Sequence, residues 1–477
     1  MQTDRPQPRS SASEDHNLMD TIDAVPLAKG HLPLLGHGAS LLRDPLGFVS
    51  SLPSMGKLVR VKMGPMTVIV VCDPQLTREV LLDDRTFDRG GPLYDRSREG
   101  AGEGLGTCTY ATHRRQRRLC QPTFRLDRFP GYAKVMATAV EDVTRSWRDG
   151  QVIDLSSEMS KLTVRVAVRT MFSTSLPEST VQQVSDDFGV IAEGVFRRMV
   201  MPPLVNRLPT PGTRRYYQAK DRLRRIGAQL IAERRSDDRD RGDLLSSLLS
   251  ARDPEAGADS ASMTDIELSD QIFTFFLAGA ETTASTLAWS LYMLGRAPDV
   301  EQAVHAEVDH VLTDRTAVFD DLGNLPTLNR MLTETLRMYP AGWLLTRVVA
   351  RETELGGIRL PADTTVAVSP HIIHRREDIY ERANEFVPSR WEDAKPDRTT
   401  YIPFGAGARK CIGDQFALTE AGLALATIAA RWQLAALTDR PVSPSLKHLP
   451  APRNLMMRLT SRITVEGAPG IAEQPVR

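Results

Sequence analysis

The sequence predicts a mainly α-helical protein with small β-sheets, and three observations carry that expectation. Helical periodicity runs through most of the 477 residues, whereas strand-rich patterns cluster in two short stretches. No strand–helix alternation of the doubly wound kind occurs. One apolar segment, 272–294, is long enough to thread a large domain from side to side.

The elements follow in order. Residues 1–24 are polar and charged without an apolar h-region, so they are expected to form a disordered tail rather than a leader or an anchor. That leaves 25–477 as a single domain. "LVRVKMGPMTVIVVCD" at 58–73 places two β-rich runs around Gly64-Pro65 and predicts a hairpin. The stretch 236–262 reads as loops flanking a short helix at 243–251. Thr264 followed by Glu267 is a capping box, and Pro298 is expected to stop the helix that follows. Residues 264–295 would span about 48 Å. Glu281 near its centre and six Ser or Thr residues between 272 and 294 argue against a membrane span; a buried helix fits better. A second strand-rich stretch, 354–370, is broken by Gly356-Gly357 and Pro361.

Composition narrows the function. Sixty basic and sixty acidic side chains cancel, which argues against a nucleic-acid-coating protein. Cys72, Cys108, Cys120 and Cys411 show no CxxC pair and no disulfide framework, as expected of a protein of the reducing cytoplasm.

Cys411 sits in "FGAGARKCIG". Gly405, Gly407 and Gly413 would let the backbone turn sharply and approach something flat. Arg409 and Lys410, with the start of a helix just beyond, would favour the thiolate, which suits a metal. A buried structural cysteine is the alternative. In "MLTETLRMYP", Glu334 and Arg337 are three apart on a helix and can touch. "AGAETT" at 278–283 puts an acid–alcohol pair, Glu281-Thr282, inside an apolar helix, where polar groups need partners; Thr282 could also simply bond the carbonyl four residues back. "HRRQRR" at 113–118 sets His113 and Arg117 on one helix face.

The spacing Phe404-x-x-Gly407-x-Arg409-x-Cys411-x-Gly413 resembles the haem-binding signature of the cytochrome P450 family, and the other three motifs occur in that family's order. The resemblance covers about 25–460. It implies the P450 fold, with a helical domain around a long central helix and a small β-rich domain. It implies haem b (iron protoporphyrin IX), with Cys411 as the metal ligand and Phe404 and Gly405 against the cofactor. His113, Arg117, Arg347 and Arg409 would bind the propionates. Glu334, Arg337 and Arg390 would form a structural triad holding the cysteine loop. Thr282 would hydrogen-bond oxygen during its activation, and Glu281 would relay protons from solvent.

By the same resemblance the enzyme is a haem-thiolate monooxygenase using O2 as co-substrate. It is most like actinobacterial terpene-oxidising members. A compact hydrophobic natural product, a sesquiterpene of secondary metabolism, is the expected substrate. A macrolide or other polyketide, or a non-catalytic haem sensor, is the alternative. The pocket is expected from 85–112, 190–212 and 341–346, and from Phe275, Phe276, Ala278, Trp343 and Leu344. Electrons would come from a ferredoxin and ferredoxin reductase, because the chain leaves no room for a flavin domain; some of the arginines 114–118 and Lys410 would steer that acidic partner. The protein is expected to be a cytoplasmic monomer binding neither nucleic acid nor membrane.

Overall fold

Leu58–Met63 (β1) and Met66–Val71 (β2) form the expected antiparallel hairpin, with Met63 opposite Met66 and Leu58 opposite Val71. In the computed structural model the described residues are 20–462, apart from 174–176, 201–207, 238, 258–260, 314, 439–441 and 446–448. Phe87–Asp88 (β3), Leu345–Val349 (β4) and Thr365–Val368 (β5) extend the hairpin into a five-stranded sheet of order β1-β2-β5-β4-β3. Only the β2–β5 pair is parallel. Valine and isoleucine at 68–71 and Val366 and Val368 on β5 are buried, and with Leu355, Leu360 and Ile373 they form one apolar core.

Part of the segment expected to be a disordered tail is structured. Asp20 and Thr21 pair with Ile358 and Arg359, and Ile22–Ala24 form a 3₁₀ turn. Residues 1–19 of the expected tail lie outside the described residues.

A second, larger core belongs to the helices. Those that position the site are Tyr110–Cys120 (α1), Leu155–Phe172 (α2), Glu178–Val200 (α3), Pro211–Ser236 (α4), Asp265–Leu294 (α5), Pro326–Met338 (α6) and Asp414–Arg431 (α7). α5 packs against α2, α4, α6 and α7, which explains its nearly all-round apolar sequence. Its start is the capping box: Glu267 N–H donates to Thr264 Oγ1 at 3.2 Å, and Thr264 N–H donates to Glu267 Oε2 at 2.8 Å. The α-helix runs to Leu294, and the N–H groups of Gly295, Arg296 and Ala297 still bond back to the carbonyls of Leu291, Met293 and Leu294 just before Pro298. Gly295 is pressed against strand Trp432–Ala436, where a Cβ would lie 2.4 Å from the Leu434 carbonyl oxygen. Pro298 opens the next helix, Pro298–Leu312.

The short helix expected at 243–251 spans Leu244–Ser250, capped by Asp243, whose carboxylate accepts from Ser246 N–H at 2.8 Å. Among the described residues no helix is long and apolar enough to cross a membrane.

One buried carboxylate joins the segments above α5. Asp270 Oδ2 accepts from Glu103 N–H at 2.8 Å, and Asp270 Oδ1 accepts from Arg224 of α4 at 2.8 Å. Gly102 permits this approach. Its φ is +78°, and a Cβ there would stand 2.1 Å from the Asp270 carboxylate.

Candidate active site

The cysteine loop is built from a tight backbone and a neighbouring helix. Gly407 adopts φ +70°, and a Cβ on it would lie 2.2 Å from the Leu81 carbonyl oxygen. Cys411 N–H donates to the Phe404 carbonyl at 2.9 Å, closing the loop, and α7 starts three residues later. Gly413 has an ordinary φ of −97°, so it serves as a helix cap and not as the third sharp turn expected.

Cys411 opens onto a cavity of about 320 Å³. Phe404, Gly405, Ile412 and Phe416 share the cysteine's wall. Phe275, Ala278, Gly279, Thr282, Thr283 and Thr286 form a wall along α5. Thr282 Oγ1 donates to the Ala278 carbonyl at 2.6 Å, so its proton is held within the helix and its lone pairs remain for the cavity. Glu281 is half-buried beside the cavity and not part of its wall.

A third set of residues at the cavity is basic: Arg89, His113, Arg117, Arg347 and Arg409. Arg347 is 3% exposed, and its Nε has no hydrogen-bond partner. His113 Nδ1 and Arg89 Nε are likewise buried and unpartnered. Burial and the surrounding guanidiniums push His113 down to about 3, and burial brings Arg347 down to about 10. Four guanidiniums lining one void call for an anionic ligand.

The cations flanking Cys411 favour the thiolate less than expected. Arg409 turns away, donating to the Cys108 carbonyl and to Asp88, both at 2.7 Å. Lys410 pairs with Asp414. Burial raises the Cys411 thiol above its usual range, aided by Asp414 and opposed by the Gly413 amide, Arg117 and Lys410.

The triad comes together fully. Arg337 is wholly buried and donates to both Glu334 oxygens at 2.9 Å and to the carbonyls of His374, Ala383 and Glu385. Glu334 also accepts from Val387 N–H, Arg390 Nε and Trp391 Nε1 at 3.0, 3.0 and 2.9 Å.

The Cytochrome P450 family model matches residues 26–458. This chain belongs to the cytochrome P450 family. Pentalenene oxygenase of Streptomyces avermitilis is 42% identical over 442 residues, covering 91% of this chain and 97% of that protein. Cyclooctat-9-en-7-ol 5-monooxygenase and cyclooctatin synthase of Streptomyces melanosporofaciens are each 43% identical, covering 85% and 90% of this chain and 89% and 92% of their own lengths. The crystal structure of the cytochrome P450DA heme domain superposes with a TM-score of 0.82 at 26% identity, covering 92% of this chain and 98% of that one. P450 enzymes are haem-dependent monooxygenases, and the residues present fit that group: a cysteine on one wall, and unpartnered buried cations suited to carboxylates.

Three expected pocket residues of this P450 lie elsewhere. Phe276 is turned about 100° from Phe275 on α5. It stacks on Phe188 of α3 at 3.7 Å and lines a separate small void. Trp343 and Leu344 pack on the sheet core, while their neighbours Ala341, Gly342 and Leu345 reach the cavity. Of the segment expected at 190–212, residues 201–207 lie outside the described residues.

Two charged cavity residues were not singled out, although Arg89 falls within the segment 85–112 expected to line the pocket. Arg89 donates to the carbonyls of Leu105 and Gly106 at 3.0 and 2.8 Å, and nothing in its local sequence marks it. Glu420 of α7 is 2% exposed with Oε1 unpartnered, and burial raises its carboxyl well above the usual range. A lone acid within "ALTEAGLALATIAA" was the available signal.

Two further buried histidines are expected to make this P450 acid-sensitive. Burial pushes His371 and His374 each down to about 3, from an ordinary 6.5. Below pH 6.5 the unfolded chain takes up protons that the folded one refuses. Stability is therefore complete above 6.5 and lost as pH falls towards 3, by about 2 kcal/mol per histidine at pH 5. Urea unfolding at pH 7 and pH 5 measures the difference; equal midpoints would contradict it.

Proposed function

We propose that this P450 hydroxylates a compact cyclic terpene, with haem b ligated by the Cys411 thiolate and electrons supplied by a ferredoxin and its reductase. The observation that carries the reading is Cys411 facing Thr282 and Phe275 across one mostly apolar cavity with basic residues at its margin. The names of the three relatives support the terpene class.

The haem, when bound, supplies oxygen activation and oxygen transfer to a C–H bond. The chain's own residues do the rest. His113, Arg117 and Arg347 would hold the carboxylates through charge-assisted bonds, and Arg409, already donating to Asp88 and the Cys108 carbonyl, would add its remaining N–H groups. Thr282, its proton given to Ala278, accepts a hydrogen bond at Oγ1 over the reaction centre. Glu281, half-buried next to it, would pass protons inward. Leu105, Met171 and Phe275 confine an apolar substrate and exclude water.

A spin-state titration tests the substrate. Cyclic sesqui- and diterpene hydrocarbons are expected to convert the haem from low to high spin, and macrolide aglycones and fatty acids to leave it unchanged. A shift with a macrolide alone would replace the substrate class.

The docking surface for the electron donor is narrower than the basic run suggests. Arg115 pairs with Glu267, Arg118 with Asp253 and Glu255, and Arg117 donates to the Lys410 carbonyl. Arg114 is exposed one turn away on the same helix. Arg114→Glu is expected to slow reduction by ferredoxin several-fold at low ionic strength, with the difference fading at high salt. An unchanged salt dependence in stopped-flow reduction would refute this.

A further inference from the structure

We propose that His374 is the positioning residue that sets the register of the cysteine loop on the Glu334–Arg337 core. The inference rests on Cys411 being the haem ligand.

Among the described residues, no hydrogen bond runs directly from Glu334, Arg337 or Arg390 to residues 402–411. The connection passes through one imidazole. His374 ends the short helix Pro370–His374 and is wholly buried. Its Nε2 accepts the Ile402 N–H at 2.9 Å, so that nitrogen carries no proton. The proton therefore sits on Nδ1, which donates to the Arg337 carbonyl at 3.1 Å. Arg337 returns a bond from Nη1 to the His374 carbonyl at 2.7 Å. The ring also stacks on Tyr401, whose hydroxyl donates to the Thr333 carbonyl of α6 at 3.0 Å.

Ile402 opens the cysteine loop. Its carbonyl accepts from Gly405 N–H at 3.0 Å, and the adjacent Phe404 carbonyl accepts from Cys411 N–H at 2.9 Å. A continuous series of bonds thus runs from the Glu334 carboxylate to the amide of Cys411. Ile402 is 3% exposed, so without His374 its N–H would be buried with no acceptor. The tautomer matters as much as the shape, since a ring with its proton on Nε2 would face the Ile402 amide donor to donor.

Two substitutions separate the halves of the ring. In His374→Gln the amide oxygen can reach the place of Nε2 and accept from Ile402. In His374→Asn the amide reaches only the place of Nδ1, keeping the Arg337 bond and leaving Ile402 unpaired. The haem-loaded proteins are compared by conversion of the reduced carbon-monoxide complex from its thiolate to its thiol form in mild urea. Hydrogen exchange of the Ile402 amide is followed in parallel and reads the same bond without reference to haem.

His374→Asn is expected to convert about 10-fold faster and to exchange Ile402 about 10-fold faster, as fits a buried amide deprived of its acceptor. His374→Gln is expected to remain within about 3-fold of the parent on both. Equal damage by Asn and Gln would reduce the ring to a space-filler and overturn the proposal, as would parental behaviour of His374→Asn. If His374→Asn binds no haem, the exchange arm alone decides by the same criteria. A parent protein without a thiolate carbonyl spectrum would instead refute the ligand assignment, and would leave the exchange result standing.

Discussion

Cys411→Ala is expected to give a folded protein with no thiolate-ligated haem and no monooxygenase turnover. The sulfur lies in the cavity wall, and the loop around it is closed by the backbone bond from Cys411 N–H to Phe404 and by the turn at Gly407, neither of which needs the side chain. Urea unfolding of the metal-free protein should therefore shift by less than about 1 kcal/mol, within the range of substitutions that remove no core contact. The reduced carbon-monoxide spectrum should lose the thiolate band completely. Retention of that band in the alanine protein would remove the ligand assignment, and with it the function proposed here.

The second large effect is structural. Arg337→Ala is expected to destabilise the fold by about 3–5 kcal/mol, because it leaves the Glu334 carboxylate buried with part of its neutralising charge removed. Domains are typically stable by only about 5–15 kcal/mol, so this is a large share of the total. Arg337→Lys keeps the charge but cannot replace the fork: five donors now reach Glu334 and three carbonyls, and an ammonium has three. It should recover only part of the loss. The measurement is the urea midpoint of each variant against the parent; a lysine protein within about 0.5 kcal/mol of the parent would show that the fork geometry is dispensable.

What the sequence revealed was local. The hairpin at 58–71, the Thr264–Glu267 cap and the Glu334-x-x-Arg337 pair involve residues a few positions apart, so their geometry follows from the helix or turn alone. The cysteine loop was legible for the same reason. Phe276, Trp343 and Leu344 were misplaced because which way a side chain points depends on what packs against its element: Phe188 claims Phe276, and the sheet core claims the other two. Arg89 and His374 were invisible because their partners are remote. Arg89 approaches the Arg409 carbonyl, 320 positions away, and His374 binds Ile402, 28 positions away.

Asp270 carries a kinetic consequence. It stands on α5, more than a turn from the cavity-facing Phe275, yet it fastens both the loop at Glu103 and the helix bearing Arg224. A ligand passing between those two segments must part them, and parting them undoes bonds to this one carboxylate. Asp270→Asn should then raise the rates of capture and release together while leaving their ratio nearly constant. How tightly a molecule is held and how long it stays would be set by different residues, the first by the apolar wall and the second by a carboxylate that never touches it.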